Sequence, residues 1–196
     1  GTLSAQSGKA EWSALAHANE PVMRFELKAT EALKDADFNY VPHAATNPRA
    51  QRAKSPRKPA NPAPVLSKLS DGIHTSVHHL HAGGQTAVAW KQLEIDGTKR
   101  LWLSVQHSFP GKEASTKAIE AVRTAANADQ KQWLAAHRQW WHSYYPQSFI
   151  STGDPFWDSF YWVQQYKIAS ATRDNGWILD NQGPWLQPTA WNALWW

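Results

Sequence analysis

The chain has no cysteine among its 196 residues. That excludes disulfide scaffolds, Cys-ligated zinc, iron–sulfur clusters and thiol catalysis. It also lacks any apolar run approaching the roughly 20 residues that cross a bilayer, so no transmembrane helix and no membrane partner are expected. Absent too are a GxGxxG turn, a Walker loop and a GxSxG elbow, which removes the usual nucleotide-binding and serine-hydrolase readings. The opening residues, Gly1-Thr2-Leu3-Ser4-Ala5-Gln6, do not read as an export signal, and no first strand is evident there. What remains is globular in composition, with 42% hydrophobic and 18% charged residues, enough for one good core or two small ones.

Acidic residues are missing from one whole stretch. Between Phe38 and Ser70 there is no Asp or Glu, while Arg49, Arg52, Lys54, Arg57, Lys58 and Lys68 exceed the net charge of +4. Pro42, Pro48, Pro56, Pro59, Pro62 and Pro64 lie in the same stretch, about 42–70, so neither a helix nor a central strand fits. A basic arm for nucleic acid is one reading. No aromatic interleaves with the charges, however, and the stretch reads as a long solvated loop with no nucleic-acid partner.

Alternation of Met23, Phe25 and Leu27 with Arg24, Glu26 and Lys28 predicts a half-buried strand, and a second extended piece is expected near Phe38–Val41. The strongest β signal follows. Ile73–His81, Gln85–Ile95 and Lys99–His107 are separated by Gly83-Gly84 and Asp96-Gly97, both tight-turn pairs, which predicts an antiparallel meander at the edge of a larger sheet or sandwich.

After Pro110 the period becomes helical. Lys112–Ala126 is Ala-rich with Ile119 and Val122 one turn apart. Asn127-Ala128-Asp129-Gln130 reads as a capping box before a helix striped by Trp133, Leu134, His137, Trp140, Trp141 and Tyr144, which Pro146 ends. Asp154 as N-cap and Pro155 at the first helical position open a further helix. Its aromatic and aliphatic residues, from Phe156 to Ile168, surround the axis and predict burial on all sides before a stop at Asp174-Asn175-Gly176.

Tryptophan is the excess: 13 in all, ten of them from residue 131 onward. Trp133, Trp140, Trp157 and Trp162 fall on helical stripes and are expected in the core. The run Trp191-Asn192-Ala193-Leu194-Trp195-Trp196 would be an association liability if exposed, so the remainder of a larger fold or a partner chain is expected to cover it.

The segments Trp140-Trp141-His142-Ser143-Tyr144, Ser148-Phe149-Ile150-Ser151, Phe160 through Arg173, and Asp180-Asn181-Gln182-Gly183-Pro184-Trp185-Leu186-Gln187-Pro188-Thr189-Ala190-Trp191 together resemble bacterial carbohydrate-active proteins related to the family-95 glycoside hydrolases, which include α-L-fucosidases. The resemblance covers about 130–196 well and the β part in outline. It implies an N-terminal antiparallel β-sandwich portion (1–110), a helical linker (111–146) and the start of an (α/α)6 barrel (147–196). It further implies a secreted or periplasmic bacterial protein that acts on an oligosaccharide or polysaccharide with a neutral or deoxy terminal sugar of fucose or galactose type. Hydrolysis would be inverting, with an acid protonating the leaving oxygen while an activated water attacks from the opposite face. The family's Asn-x-Asn pair and its acidic residues come later than Trp196, so no catalytic residue is expected among these residues.

Substrate positioning is assigned to Trp185, Trp191, Trp195, Asp180 and Gln187. An indole packs on the C–H face of a pyranose, and the loop after Asp180 corresponds to the barrel mouth. Of the four carboxylates in this region, Asp154 is explained by capping, Asp174 by its turn and Asp158 by the helix dipole, which leaves Asp180. His79 and His81 share a strand face but have no third ligand at suggestive spacing, so neither a metal nor a cofactor is expected. The alternative from another class is a non-catalytic carbohydrate-binding or assembly component.

Overall fold

The computed structural model describes residues 2–7, 10–31, 34–46 and 61–172. Strands come first and helices second, as the sequence pattern predicts. The strands are β1 (Thr2–Ser7), β2 (Ala10–Ala16), β3 (Met23–Ala29), β4 (Val65–Lys68), β5 (His74–His79), β6 (Gln85–Ile95) and β7 (Thr98–Ser108). Three helices follow: α1 (Ala114–Asn127), α2 (Gln130–Tyr144) and α3 (Pro155–Ala171). Two compact units divide between His137 and Arg138, inside α2.

The first unit is built on one seven-stranded antiparallel sheet in the order β1-β2-β3-β7-β6-β5-β4. It consists of two meanders joined where β3 pairs with β7, with Met23 opposite Leu103 and Phe25 opposite Leu101. The expected three-strand meander is present as β5-β6-β7, and it belongs to a larger sheet. Its β6–β7 turn places Asp96 and Gly97 at φ 52° and 70°, the left-handed region such pairs tolerate. At the other hairpin a Cβ on Gly84 would collide with the Ser108 carbonyl, so only glycine fits that approach.

Two expectations are corrected. β1 and β2 exist, although neither was evident in the sequence; β2 zips along β3 over its whole length, with Trp12 opposite Leu27 and Ala16 opposite Met23. The Phe38–Val41 piece is irregular rather than a strand. Its rings nonetheless rest on the sheet, Phe38 near Phe25 and Tyr40 4.5 Å from Trp90 between centroids. All seven strands belong to one sheet, and the layer packed on one of its faces is α1.

The face toward α1 forms the core. Ala114, Ala118, Val122 and Ala125, on one stripe of the helix, are fully buried against Ile73, Ala87, Ala89 and Trp102. Small residues at three of those four positions let the helix approach closely enough to enclose the Trp102 indole. Side chains of the sheet complete the helix ends. Ser108 Oγ accepts from Ala114 N–H at 3.2 Å, and Gln85 Oε1 accepts from Ser115 N–H at 2.9 Å. At the far end Gln130 Nε2 donates to the carbonyls of Ala125 and Ala128. Asp129, as predicted, caps α2, its Oδ1 accepting from Lys131 and Gln132 N–H.

The opposite sheet face is also apolar, carrying Trp12, Phe25, Leu27, Val88, Leu103 and Val105 by strand alternation. Trp12 and Val105 remain 41% and 50% exposed.

Candidate functional site

The second unit carries the segment for which sugar chemistry is expected. Among its described residues, the C-terminal part of α2, a 3₁₀ turn at Tyr145–Gln147 and α3 form it. Trp141, one of the few buried side chains here, stacks on Tyr145 and Tyr166 with centroids 5.5 and 5.4 Å away. Tyr145 in turn meets Trp162 edge-on at 5.6 Å. Burial among these rings pushes the Tyr145 phenol above its ordinary value, so the phenol keeps its proton.

Polar atoms at the rim of the cluster are linked. The Tyr144 hydroxyl donates to Gln165 Oε1 at 2.8 Å, Gln165 Nε2 donates to the Tyr161 hydroxyl at 3.1 Å, and that hydroxyl meets Ser148 Oγ. A cleft of about 380 Å³ runs between the two helices of this unit. Trp140, Ser143, Tyr144 and Gln147 form one wall, Ile168, Ala169 and Thr172 the other. Trp140 and Tyr144 lie parallel, 7° between planes and 5.3 Å between centroids. No carboxylate and no histidine lines this cleft, so it offers a stacking surface and hydroxyl or amide contacts but no acid–base pair.

The two described carboxylates of the unit have structural work. Asp154 Oδ1 accepts from Phe156 N–H at 2.9 Å, the capping its position predicts. Asp158 Oδ1 accepts from the backbone N–H of Thr152 at 2.7 Å and from its hydroxyl at 2.8 Å. These bonds hold the Asp158 carboxyl below the usual carboxylate range, first through the backbone donor and then through the hydroxyl. A carboxylate so held is a poor proton donor near neutrality.

Two further readings are corrected. Trp157 is 55% exposed rather than in the core. Phe156, Phe160, Val163 and Ile168 are likewise at least 45% exposed, so α3 is not enclosed by the described residues. Trp133 is buried as predicted, while Trp140 and Trp162 are half-buried. His79 ends β5 and His81 lies beyond it, so the two do not share a strand face. Among the described residues no three His, Asp or Glu side chains form a group that could hold a metal. No helix among them is long and apolar enough to cross a membrane.

Asp180, Trp185, Gln187, Trp191 and Trp195 lie outside the described residues, as do the Asp174-Asn175-Gly176 stop and most of the basic loop. No protein-family model, curated protein or solved structure matches the chain.

Proposed function

We propose that these residues form part of a glycoside hydrolase of the family-95 type: a β-sandwich portion, its helical linker and the opening of an (α/α)6 barrel. The observation that carries the reading is α3. Its cap and aromatic composition agree with the resemblance, and its apolar residues on several sides leave a surface suited to packing among further helices. The apolar sheet face bearing Trp12 and Val105 supports a second β layer there in the same way. In this reading Trp185, Trp191 and Trp195 supply stacking surfaces at the barrel mouth, Asp180 and Gln187 bind sugar hydroxyls, and the acid and the base that activates water lie elsewhere. The substrate is a secreted-environment glycan ending in a fucose- or galactose-type sugar.

The test is sugar release from fucosides and galactosides by the natural polypeptide that contains this sequence, after its intact mass is measured. Hydrolysis that Trp185→Ala weakens by tenfold or more in kcat/KM supports the reading. Sugar binding without release by a polypeptide of 22.1 kDa favours the non-catalytic alternative. Neither binding nor release overturns both.

A further inference from the structure

A second polar surface lies in the first unit, on the sheet, and uses none of the C-terminal residues. Four adjacent strands align two rows of side chains there. In the first, Ser4 pairs with Ser13, Ser13 with Glu26 and Glu26 with Arg100. In the second, Gln6 pairs with Glu11 and Glu11 with Lys28. Each row follows the strand-to-strand spacing of about 4.8 Å, and strand alternation puts both rows on one face. They form the floor of a concavity of about 610 Å³, which Trp12 and Thr98 also line.

The chemistry of the floor selects the ligand. The charged side chains that line it are two of each sign, Glu11 and Glu26 with Lys28 and Arg100, and the buried Arg24 also pairs with Glu26, so a phosphate would meet two carboxylates and a cation would meet two basic groups. An apolar ligand would strip water from charged groups without replacing its hydrogen bonds. A polyhydroxylated ligand does replace them: each hydroxyl donates to a carboxylate and accepts from an ammonium, guanidinium or amide N–H. Glu26 is already fixed by Arg100 Nε at 2.8 Å, and Glu11 accepts from Gln6 Nε2 at 3.1 Å, so the acceptors are held in place before a ligand arrives.

We propose that this concavity is a binding site for a neutral oligosaccharide, separate from the C-terminal tryptophans. Its existence does not depend on the hydrolase reading.

The test is calorimetry and NMR titration of the 196-residue chain with three probes: neutral β-1,4-linked gluco- and galacto-oligosaccharides, and an anionic oligogalacturonide. The expected result is binding of a neutral probe that shifts the amides of β1–β3 and weakens tenfold or more in Glu11→Ala and in Lys28→Ala. Both residues are exposed, so folding survives, and if one variant fails to fold the other carries the test. The shifts of the β1–β3 amides, which report this site alone, are the same in Trp185→Ala. The proposal is overturned if no neutral probe binds up to about 10 mM. It is equally overturned if the β1–β3 amide shifts persist in the folded variants, if the anionic probe produces them at lower concentration, or if Trp185→Ala abolishes them. That last outcome would leave the C-terminal reading intact.

Discussion

His17 and Trp133, 116 residues apart, are stacked with ring centroids 4.3 Å apart and joined by a hydrogen bond of 2.9 Å from His17 Nε2 to the Trp133 carbonyl. The same indole donates from Nε1 to Glu20 at 2.9 Å and lies 5.4 Å from the Arg24 guanidinium. One turn on, His137 Nδ1 accepts from Ala18 N–H at 3.1 Å. The β2–β3 connection thus grips the start of α2 through two buried imidazoles, both of the Nε2–H form their partners require. Removing either grip costs about 1–3 kcal/mol, the range for buried polar groups losing partners. His137→Asn, which offers an oxygen near the Nδ1 position, is expected to recover most of the stability that His137→Ala loses. Urea unfolding of the two variants compares them, and equal losses would place the effect in packing instead.

A polar chain ties the sheet to both neighbouring helices. Glu26 accepts from Arg100 at 2.8 Å and Arg24 at 3.2 Å, Arg24 donates to Gln130 at 3.0 Å, and Gln130 closes the α1 C-terminus. Burial of Arg24 lowers its hold on the proton, an effect the nearby Glu26 opposes. Glu26→Gln therefore leaves a buried guanidinium without its counter-charge, an expected loss of about 1.5–3 kcal/mol. Gln130→Ala is predicted to cost about 1–3 kcal/mol by releasing Arg24 and the two helix carbonyls together. Because the two act on one chain, the double variant should lose less than the sum, which a double-mutant cycle measures.

How much of this is legible in the sequence depends on how local the signal is. Asp96-Gly97, Asp154-Pro155 and the Met23–Leu27 alternation each report a structure that their own neighbours dictate. β1 and β2 do not: Thr2-Leu3-Ser4-Ala5-Gln6-Ser7 and Ala10-Glu11-Trp12-Ser13-Ala14-Leu15-Ala16 have almost no β-branched residues, and pairing with β3 makes them strands. The polar floor is half visible, since Glu26 and Lys28 alternate onto one face. Its other members come from strands whose register only the folded sheet supplies. Composition failed for α3 in the opposite direction. An apolar helix is expected to be covered, but composition cannot say which residues would cover it.

Acid should act on the start of α3 through Asp158. Its carboxyl is held below the ordinary value in the folded chain, so the folded state binds that proton less readily than the unfolded state. The resulting stabilisation is complete above the unfolded value of about 3.9 and is lost as pH falls through the lower folded value. Thr152→Val removes the hydroxyl donor but not the backbone N–H, so it should move the Asp158 titration only part-way back. Carboxyl carbon chemical shifts followed from pH 6 to 2 in both proteins measure this, and an unmoved midpoint would show that the hydroxyl contributes nothing.

The N-terminus of α1 gives the sharpest test of how sheet and helix depend on each other. Gln85 and Ser108 are opposite one another across β6 and β7, and both reach helix N–H groups, at Ser115 and Ala114. Glu113, at the position where a cap is normally found, makes no side-chain cap bond, so strand residues perform that function. Gln85→Ala and Ser108→Ala should each cost about 0.5–2 kcal/mol, the loss typical of a cap. The cost should appear in the sheet as well as the helix, because Ser108 Oγ also donates to the Gly111 carbonyl and sets the chain's turn into α1. Amide exchange distinguishes this from local fraying. Slowed protection lost only at 114–118 would mean an ordinary helix cap, whereas faster exchange spreading to Ala87, Ala89 and Trp102 would show that helix and sheet open as one unit.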